Sequence, residues 1–252
     1  MLNRSAALFA VLITLSCAPV IHAADIHIGV ASNFAPTLKG LLQAFERRTG
    51  HRVILSSGSS GKLYTQVKHG APFDLFFSAD AERPRRLEAE GEGVSGTRAT
   101  YCLGRLVLWS QGALVDNEGK VLSTKAYRKL AMANPVTAPY GLAAMQVMQK
   151  TGVWDAVQDR IVVGENIAQT WQFVASGNAN LGFVALSQLR AAGSDKGSAW
   201  HVPSHLHDPI EQQVILLRNA REAKAARQLL HYLESDEARN MLRKFGYDLP
   251  GS

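Results

Sequence analysis

Three loops carry the side chains that could do chemistry, and their composition predicts hydrogen bonding. They are rich in serine, asparagine, threonine and glycine, contain no charged residue, and comprise Ala31–Phe34, Ser56–Gly61 and Asn134–Gly141. Each precedes a predicted helix, whose first N–H groups have no intrahelical acceptor and carry partial positive charge. The loops therefore predict an anion site built from hydroxyl, amide and backbone N–H donors. Such loops also cap helices and form turns without a ligand, and composition alone leaves that alternative open.

The absence of charge in these loops restricts the anion. A doubly charged tetrahedral oxyanion has no proton to donate, so a site made only of donors suits it. A phosphate site would be expected to include an acceptor carboxylate for the remaining proton. Fixed N–H groups can also sort ions by size, because they cannot close around a smaller ion. Sulfate is a fully deprotonated tetrahedron too, and this reasoning leaves it as an alternative.

The elements that position these loops alternate between strands and helices. Asp25–Ala31 has the pattern of a strand, and the apolar spacing that begins at Leu38 predicts a helix that Gly50 closes. Similar patterns predict further strands and helices at Arg52–Leu55, Lys62–Lys68, Asp74–Phe77, Glu82–Glu90, Leu106–Trp109, Leu130–Ala133, Leu142–Lys150, Ile161–Val163, Ile167–Ser176, Leu181–Leu186, Gln213–Leu217, Glu222–Glu234 and Asp236–Lys244. The alternation predicts an α/β protein of parallel βαβ units with helices on both faces.

Two changes of pattern predict two α/β lobes. The first lies near Tyr101–Arg105, and the second follows the polar stretch Gly193–Asp208, near His207–Gln213. We expect residues 25–102 and 211–252 to form the first lobe and residues 103–210 the second. The chain would then cross between the lobes twice, which returns the C-terminal segment to the first lobe.

The composition is that of a folded protein. Of the 252 residues, 46% are hydrophobic and 19% charged, which allows a sizeable core and excludes wholesale disorder. The net charge of +6 favours encounters with anions. Lysine and arginine are scattered, however, with no run longer than Arg47-Arg48 or Arg85-Arg86. We therefore expect no nucleic-acid binding.

The N-terminus predicts export. Arg4 precedes an apolar run and then small residues, which is the pattern of a secretory signal peptide over residues 1–24, cleaved after Ala23 or Ala24. An uncleaved anchor and a lipoprotein site at Cys17 are the alternatives. Removal of the leader takes Cys17 with it, so Cys102 has no intramolecular partner and is expected to be a buried thiol in a strand.

Other groups of reactive residues favour structure over catalysis. His201, His205, His207 and Asp208 resemble metal ligands, but no second cluster completes a zinc motif, so we expect surface or packing histidines. Asp80 is expected to cap the helix that follows it. The ligand loops contain no titratable cluster, which argues against an enzyme. Some transferases share a two-lobed architecture, and that class stays open as an alternative.

Several stretches of the chain resemble the periplasmic molybdate-binding proteins, the solute receptors of molybdate ABC transporters. The agreement extends along almost the whole mature chain and is densest in SSGSSGKLYTQVKHGAPFDLFFSADAERPRRL. It continues in YCLGRLVLWS, NPVTAPYGLAA and SGNANLGFVALSQ. The resemblance implies a two-lobed periplasmic-binding-protein fold of type II, in which each lobe is a mixed, mostly parallel sheet flanked by helices. It also implies that the lobes close over one oxyanion, molybdate or tungstate.

The resemblance places the family's ligand-binding positions on particular residues of this chain. They fall on Ser32, Asn33, Ser60, Tyr140 and Ile167, with Ser59 as a weaker candidate if the loop register differs by one residue. Many members have other residues where this chain has Ser32-Asn33 and Tyr140, so Tyr140 could present either its hydroxyl or its N–H.

The same resemblance implies how the protein would work. It would be a periplasmic monomer with no enzymatic activity, no cofactor and no metal besides the bound molybdate. Its closed surface would be recognised by the permease of an ABC transporter.

Overall fold

The computed structural model describes residues 23–193 and 197–251. Most of the predicted signal peptide, including Cys17, lies outside the described residues. Within the described ranges, no helix is both long enough and apolar enough to cross a membrane.

Strands and helices alternate along the chain, as the apolar patterns predict. The strands are β1 (Asp25–Ala31), β2 (Arg52–Gly58), β3 (Leu75–Ser78), β4 (Ala99–Gly104), β5 (Leu106–Ser110), β6 (Leu130–Ala133), β7 (Ile161–Gly164), β8 (Leu181–Ala185), β9 (Ser198–His201) and β10 (Ile210–Leu216). The helices are α1 (Ala35–Thr49), α2 (Ser60–Lys68), α3 (Glu82–Ala89), α4 (Val121–Thr124), α5 (Pro139–Lys150), α6 (Trp154–Val157), α7 (Ile167–Ala175), α8 (Leu186–Ala191), α9 (Ala223–Leu233) and α10 (Asp236–Lys244).

The strands form two five-stranded sheets, one in each lobe. Their orders are β2-β1-β3-β10-β4 and β7-β6-β8-β5-β9. Each sheet is mixed, as expected. Among the described residues, each has two parallel and two antiparallel pairings, so parallel pairs are not in the majority. The antiparallel pairs arise where the chain enters or leaves a lobe through β4, β5, β9 and β10.

Helices cover both faces of each sheet, because buried strands present apolar side chains to both sides. In the first sheet, Leu75 and Phe77 pack with α1, α9 and α10, whereas Phe76 faces Leu63 and Leu87 of α2 and α3. In the second sheet, α5 packs on one face and α7 on the other. Each lobe therefore has a core on either side of its sheet.

One residue separates the two lobes at the first crossing. The apolar run around Cys102 is divided at Arg105: β4 pairs with β10 in the first sheet, and β5 pairs with β8 and β9 in the second. Cys102 is a buried free thiol in β4, as predicted. The backbone of Leu103 exchanges hydrogen bonds with Asp248, which ties this crossing to the C-terminal segment.

Some element bounds differ from the sequence prediction. The strand Asp25–Ala31 and the helix Asp236–Lys244 are confirmed at both ends. The first helix begins at Ala35, one turn before Leu38. β2 continues through the serines to Gly58, because parallel pairing with β1 extends to the Ala31–Gly58 pair. β9 lies inside the stretch Gly193–Asp208, where no strand was predicted.

Candidate functional site

Four helices begin at one point between the two sheets and enclose a small cavity. α1 follows the Ser32-Asn33 turn, α2 begins at Ser60, α5 at Pro139 and α7 at Ile167. The cavity is lined by Ala31, Ser32, Asn33, Gly58, Ser59, Ser60, Ala79, Ala138, Pro139, Tyr140 and Ile167. Its volume is about 10 Å³, close to the space that one water molecule needs. A larger tetrahedral ion therefore requires the lobes to separate slightly around it.

Backbone N–H groups are the most distinctive feature of this cavity. Asn33, Ser60, Tyr140 and Ile167 are only 1–3% exposed. No hydrogen bond within residues 23–193 and 197–251 engages their N–H groups. Leaving a buried donor unpaired costs about 1–3 kcal/mol, so convergence of four such donors indicates an acceptor that binds there. Because the donors lie at helix starts, the helix dipoles also favour an anion.

Three hydroxyl groups add to these donors. The Ser60 Oγ accepts a hydrogen bond from the Ala79 N–H at 2.9 Å, which leaves its own proton to donate. The Ser32 Oγ donates across the cleft to Asn166 Oδ1 at 3.3 Å, a long bond for a hydroxyl. The Ser59 Oγ is buried without a partner among the described residues, although Ser59 is the N-cap of α2 and could have capped it.

The side chains of Asn33 and Tyr140 are engaged away from the ligand loops. The Asn33 Nδ2 donates to Gln212 Oε1 at 2.9 Å and to the Tyr247 Oη at 3.3 Å. The Tyr140 Oη accepts from Gln212 Nε2 at 3.3 Å. The sequence left open which group Tyr140 would present. Its hydroxyl reaches Gly104 at the crossing between the lobes, whereas its N–H lies in the first turn of α5 beside the cavity, so the N–H is the available donor.

Electrostatics keep the site neutral across ordinary pH. Among the residues that the structure describes, no charged side chain lines the cavity. Burial raises the pKa of the Tyr140 and Tyr101 hydroxyls well above their ordinary value, and it raises the pKa of Tyr247 as well. These phenols therefore stay protonated, and attraction for an anion comes from dipoles rather than from a formal positive charge.

Contacts between the lobes close the cavity. Gly61 N–H, in the first turn of α2, donates to the Thr137 carbonyl of the second lobe at 2.9 Å. A Cβ at Gly61 would lie 3.0 Å from Thr137 Cα, so glycine permits this close approach. Further out, Lys62 forms an ion pair with Glu165 at 2.6 Å, with both side chains about half exposed.

All six residues predicted to bind the ligand line the one cavity, including the weaker candidate. Their role as ligand donors remains a prediction. Four other lining residues, Ala31, Gly58, Ala138 and Pro139, belong to the three predicted loops, whereas Ala79 was not predicted. Gln212 was not predicted either, although one signal existed: two adjacent glutamines interrupt the apolar pattern of β10.

The other groups of reactive residues do not form a site. Within the described residues, no group of three or more histidine, cysteine, aspartate or glutamate side chains could hold a metal ion. His207 is buried, and its Nδ1 is 2.7 Å from the Asp208 carbonyl oxygen, as expected for a packing histidine. Asp80 Oδ1 accepts from the Arg83 N–H at 2.9 Å, which is the capping role predicted for it.

The sequence of this chain is similar to those of known proteins. The model of the bacterial extracellular solute-binding protein family matches residues 26–248. The chain is 45% identical to the molybdate-binding protein ModA of Azotobacter vinelandii over 93% of both chains. It is 44% identical to ModA of Rhodobacter capsulatus over 89% of this chain and 88% of that one.

A solved structure of a related protein has the same fold. The periplasmic molybdate-binding protein of Azotobacter vinelandii superposes with a TM-score of 0.87, at 42% identity, covering 89% of this chain and 99% of that chain. The two-lobed periplasmic-binding-protein fold predicted from the sequence is thus confirmed. With its two mixed sheets and a family match across nearly the whole described chain, this protein belongs to the bacterial extracellular solute-binding protein family.

Proposed function

We propose that this protein is an extracytoplasmic receptor that captures molybdate or tungstate and delivers it to the permease of an ABC transporter. One observation carries the proposal. Within the described part of the chain, four buried, unpaired N–H groups and three serine hydroxyls surround a cavity that no charged side chain lines. A divalent ion without a proton can accept all of these hydrogen bonds. The molybdate-binding relatives support molybdate as the ion.

In this proposal the ion is bound by the N–H groups of Asn33, Ser60, Tyr140 and Ile167. The hydroxyls of Ser32, Ser60 and Ser59 complete the shell. The lobe that contains β1–β4 and β10 supplies Asn33 and Ser60, and the lobe that contains β5–β9 supplies Tyr140 and Ile167. Donors from both lobes then complete the site only when the lobes close, which couples binding to closure.

The remaining parts of the proposal concern the protein's setting. The signal peptide is removed and the mature chain acts in the periplasm as a monomer. It performs no reaction and needs no cofactor, because hydrogen bonding alone holds the ion. The permease recognises the closed form.

Calorimetric titration of the purified mature protein with molybdate, tungstate and sulfate tests the proposal. We expect molybdate and tungstate to bind tightly and sulfate far more weakly, because the relatives that share this fold and sequence are molybdate-binding proteins. Ser60→Ala removes a hydroxyl donor to a charged acceptor and should weaken molybdate binding about tenfold or more. The exposed Ser57 provides the matched control: Ser57→Ala should leave the affinity unchanged.

Two results would reject the proposal. Preferential binding of sulfate would make the protein a receptor for a different oxyanion. If all three ions failed to bind, a transferase or another activity in the same fold would become the better account.

A further inference from the structure

Gln212 connects the two sides of the cavity without lining it. Its side chain is fully buried in β10. The Oε1 accepts from Asn33 Nδ2 at 2.9 Å and from the Tyr101 Oη at 3.1 Å. The Nε2 donates to the Tyr140 Oη at 3.3 Å. One amide therefore bonds to Asn33 of the first lobe and to Tyr140 of the second.

Asn33 is further fixed by two hydroxyl groups. The Tyr247 Oη donates to the Asn33 carbonyl oxygen at 3.1 Å, and the Ser187 Oγ donates to the same oxygen at 3.3 Å. With its side chain and its carbonyl both engaged, Asn33 presents its N–H to the cavity in one orientation.

Tyr140 extends from the cavity to the crossing between the lobes. Its N–H lies in the first turn of α5, and its hydroxyl reaches Gln212 and Gly104, the last residue of β4. The bond from Gln212 to Tyr140 joins a strand of the first lobe to a helix of the second. Its geometry therefore depends on the distance between the lobes.

We infer that Gln212 is a positioning residue for anion binding, which holds the backbone donors of Asn33 and Tyr140 at a spacing that suits one ion. This inference rests on the proposed function. A glutamine can do this because its amide accepts and donates at the same time. An apolar side chain of similar size would fill the same volume and make neither bond.

The neighbouring Gln213 is a matched control in the same strand. It is 5% exposed, and its Oε1 accepts from Arg98 Nη1 at 3.0 Å. Its Nε2 donates to the Thr100 Oγ1 and to Glu211 Oε1. These partners belong to the first sheet or its adjoining loop and do not line the cavity. Replacing Gln213 thus removes a similar number of hydrogen bonds without affecting the ligand donors.

The experiment compares Gln212→Met with Gln213→Met in the full mature protein, using molybdate as the probe. Both variants should melt at lower temperature than the unmodified protein. Only Gln212→Met should raise the molybdate Kd, by about five- to tenfold, and chiefly through faster dissociation in stopped-flow fluorescence. An unchanged Kd for Gln212→Met, or an equal rise for Gln213→Met, would overturn the inference.

Tyr140→Phe provides a second and milder test, which also serves if Gln212→Met does not fold. It removes the hydroxyl that Gln212 contacts and keeps the Tyr140 N–H. The Kd should rise severalfold, and Gln212→Met should have a smaller effect in the Tyr140→Phe background than alone. An unchanged Kd for Tyr140→Phe, or full additivity in the double variant, would contradict the positioning role.

The outcome for the unmodified protein separates the two proposals. If it binds none of molybdate, tungstate and sulfate, the proposed function fails and this inference with it. If it binds molybdate and Gln212→Met binds equally well, only the role of Gln212 is rejected.

Discussion

The Tyr140 hydroxyl oxygen lies only 2.2 Å from the position that a Cβ on Gly104 would occupy. The same Cβ would lie 2.8 Å from Gln212 Nε2. Glycine at the end of β4 is therefore required by packing, because the phenol of a residue in the binding site fills the space beside it.

Gly104→Ala should disturb both stability and binding. The added methyl must displace Tyr140 and Gln212, and overpacking of this kind costs about 1–3 kcal/mol. Because the displaced phenol belongs to a donor residue, the molybdate affinity should fall about tenfold. Thermal unfolding and calorimetry measure the two effects. Gly112→Ala is the control, since no atom of a described residue lies within 4 Å of a Cβ there. Normal affinity in Gly104→Ala would show that the Tyr140 side chain does not influence the site.

Ser59→Ala should change stability and affinity in opposite directions. The Ser59 hydroxyl is buried without a partner and makes no capping bond, so its removal should stabilise the ligand-free protein by about 1 kcal/mol. If the hydroxyl donates to the ion, the same change should weaken molybdate binding about tenfold. Chemical denaturation without ligand and titration with molybdate test both parts. A less stable variant with normal affinity would make Ser59 a structural residue only.

Arg83 should slow the release of the ion. Its Nη2 donates to the Val136 carbonyl oxygen of the second lobe at 3.1 Å, while Asp80 pairs with its Nη1. This hydrogen bond joins the two lobes, so it must break before they separate and release the ion. Arg83→Gln should therefore raise the molybdate dissociation rate about threefold and leave the association rate nearly unchanged. Arg85→Gln is the control, because Arg85 is exposed and pairs with Glu82 in the same helix. Equal dissociation rates in the two variants would exclude a role for Arg83 in closure.

His207 should make the protein less stable in mild acid. Burial lowers the pKa of its imidazole, and the positive charges of Lys150 and Arg105 lower it further. In the unfolded chain His207 has an ordinary histidine pKa of about 6.5. Below that pH the unfolded chain therefore binds a proton more readily than the folded protein does. Stability from the neutral ring is present above that pH and is lost as the pH falls below it.

Thermal unfolding of His207→Gln between neutral pH and pH 5 checks this sign. The variant should lose less stability on acidification than the unmodified protein. His231→Gln, at an exposed position, should behave like the unmodified protein. Parallel curves for His207→Gln and the unmodified protein would contradict the prediction.

The sequence patterns predicted the elements well where each element makes its own local signal. α10 has both its N-cap serine and its apolar spacing, and its bounds were predicted correctly. β9 was missed because it is an edge strand in a polar stretch, and of its four residues only Trp200 is buried. The extension of β2 to Gly58 depends on pairing with β1, which composition does not reveal.

The candidate site also has a part that the sequence predicted and a part that it did not. Loops before helices can be recognised in the sequence, and five of the six residues that the family resemblance assigned to the ligand lie in them. Ile167 was assigned by the resemblance alone, and all six line one cavity. Gln212 could not be placed, because its partners Asn33 and Tyr140 are 179 and 72 residues away along the chain. Only the packing of the two lobes brings these residues together.

The unpaired N–H groups at the starts of four helices have a consequence for how this protein can change. Side-chain replacement leaves a main-chain amide in place, and among the encoded amino acids only proline abolishes it. Natural variation can therefore replace residues such as Ile167 without removing the N–H groups that bind the ligand. A receptor with a different preference would instead need its helices to start elsewhere, so selectivity here is a property of the scaffold.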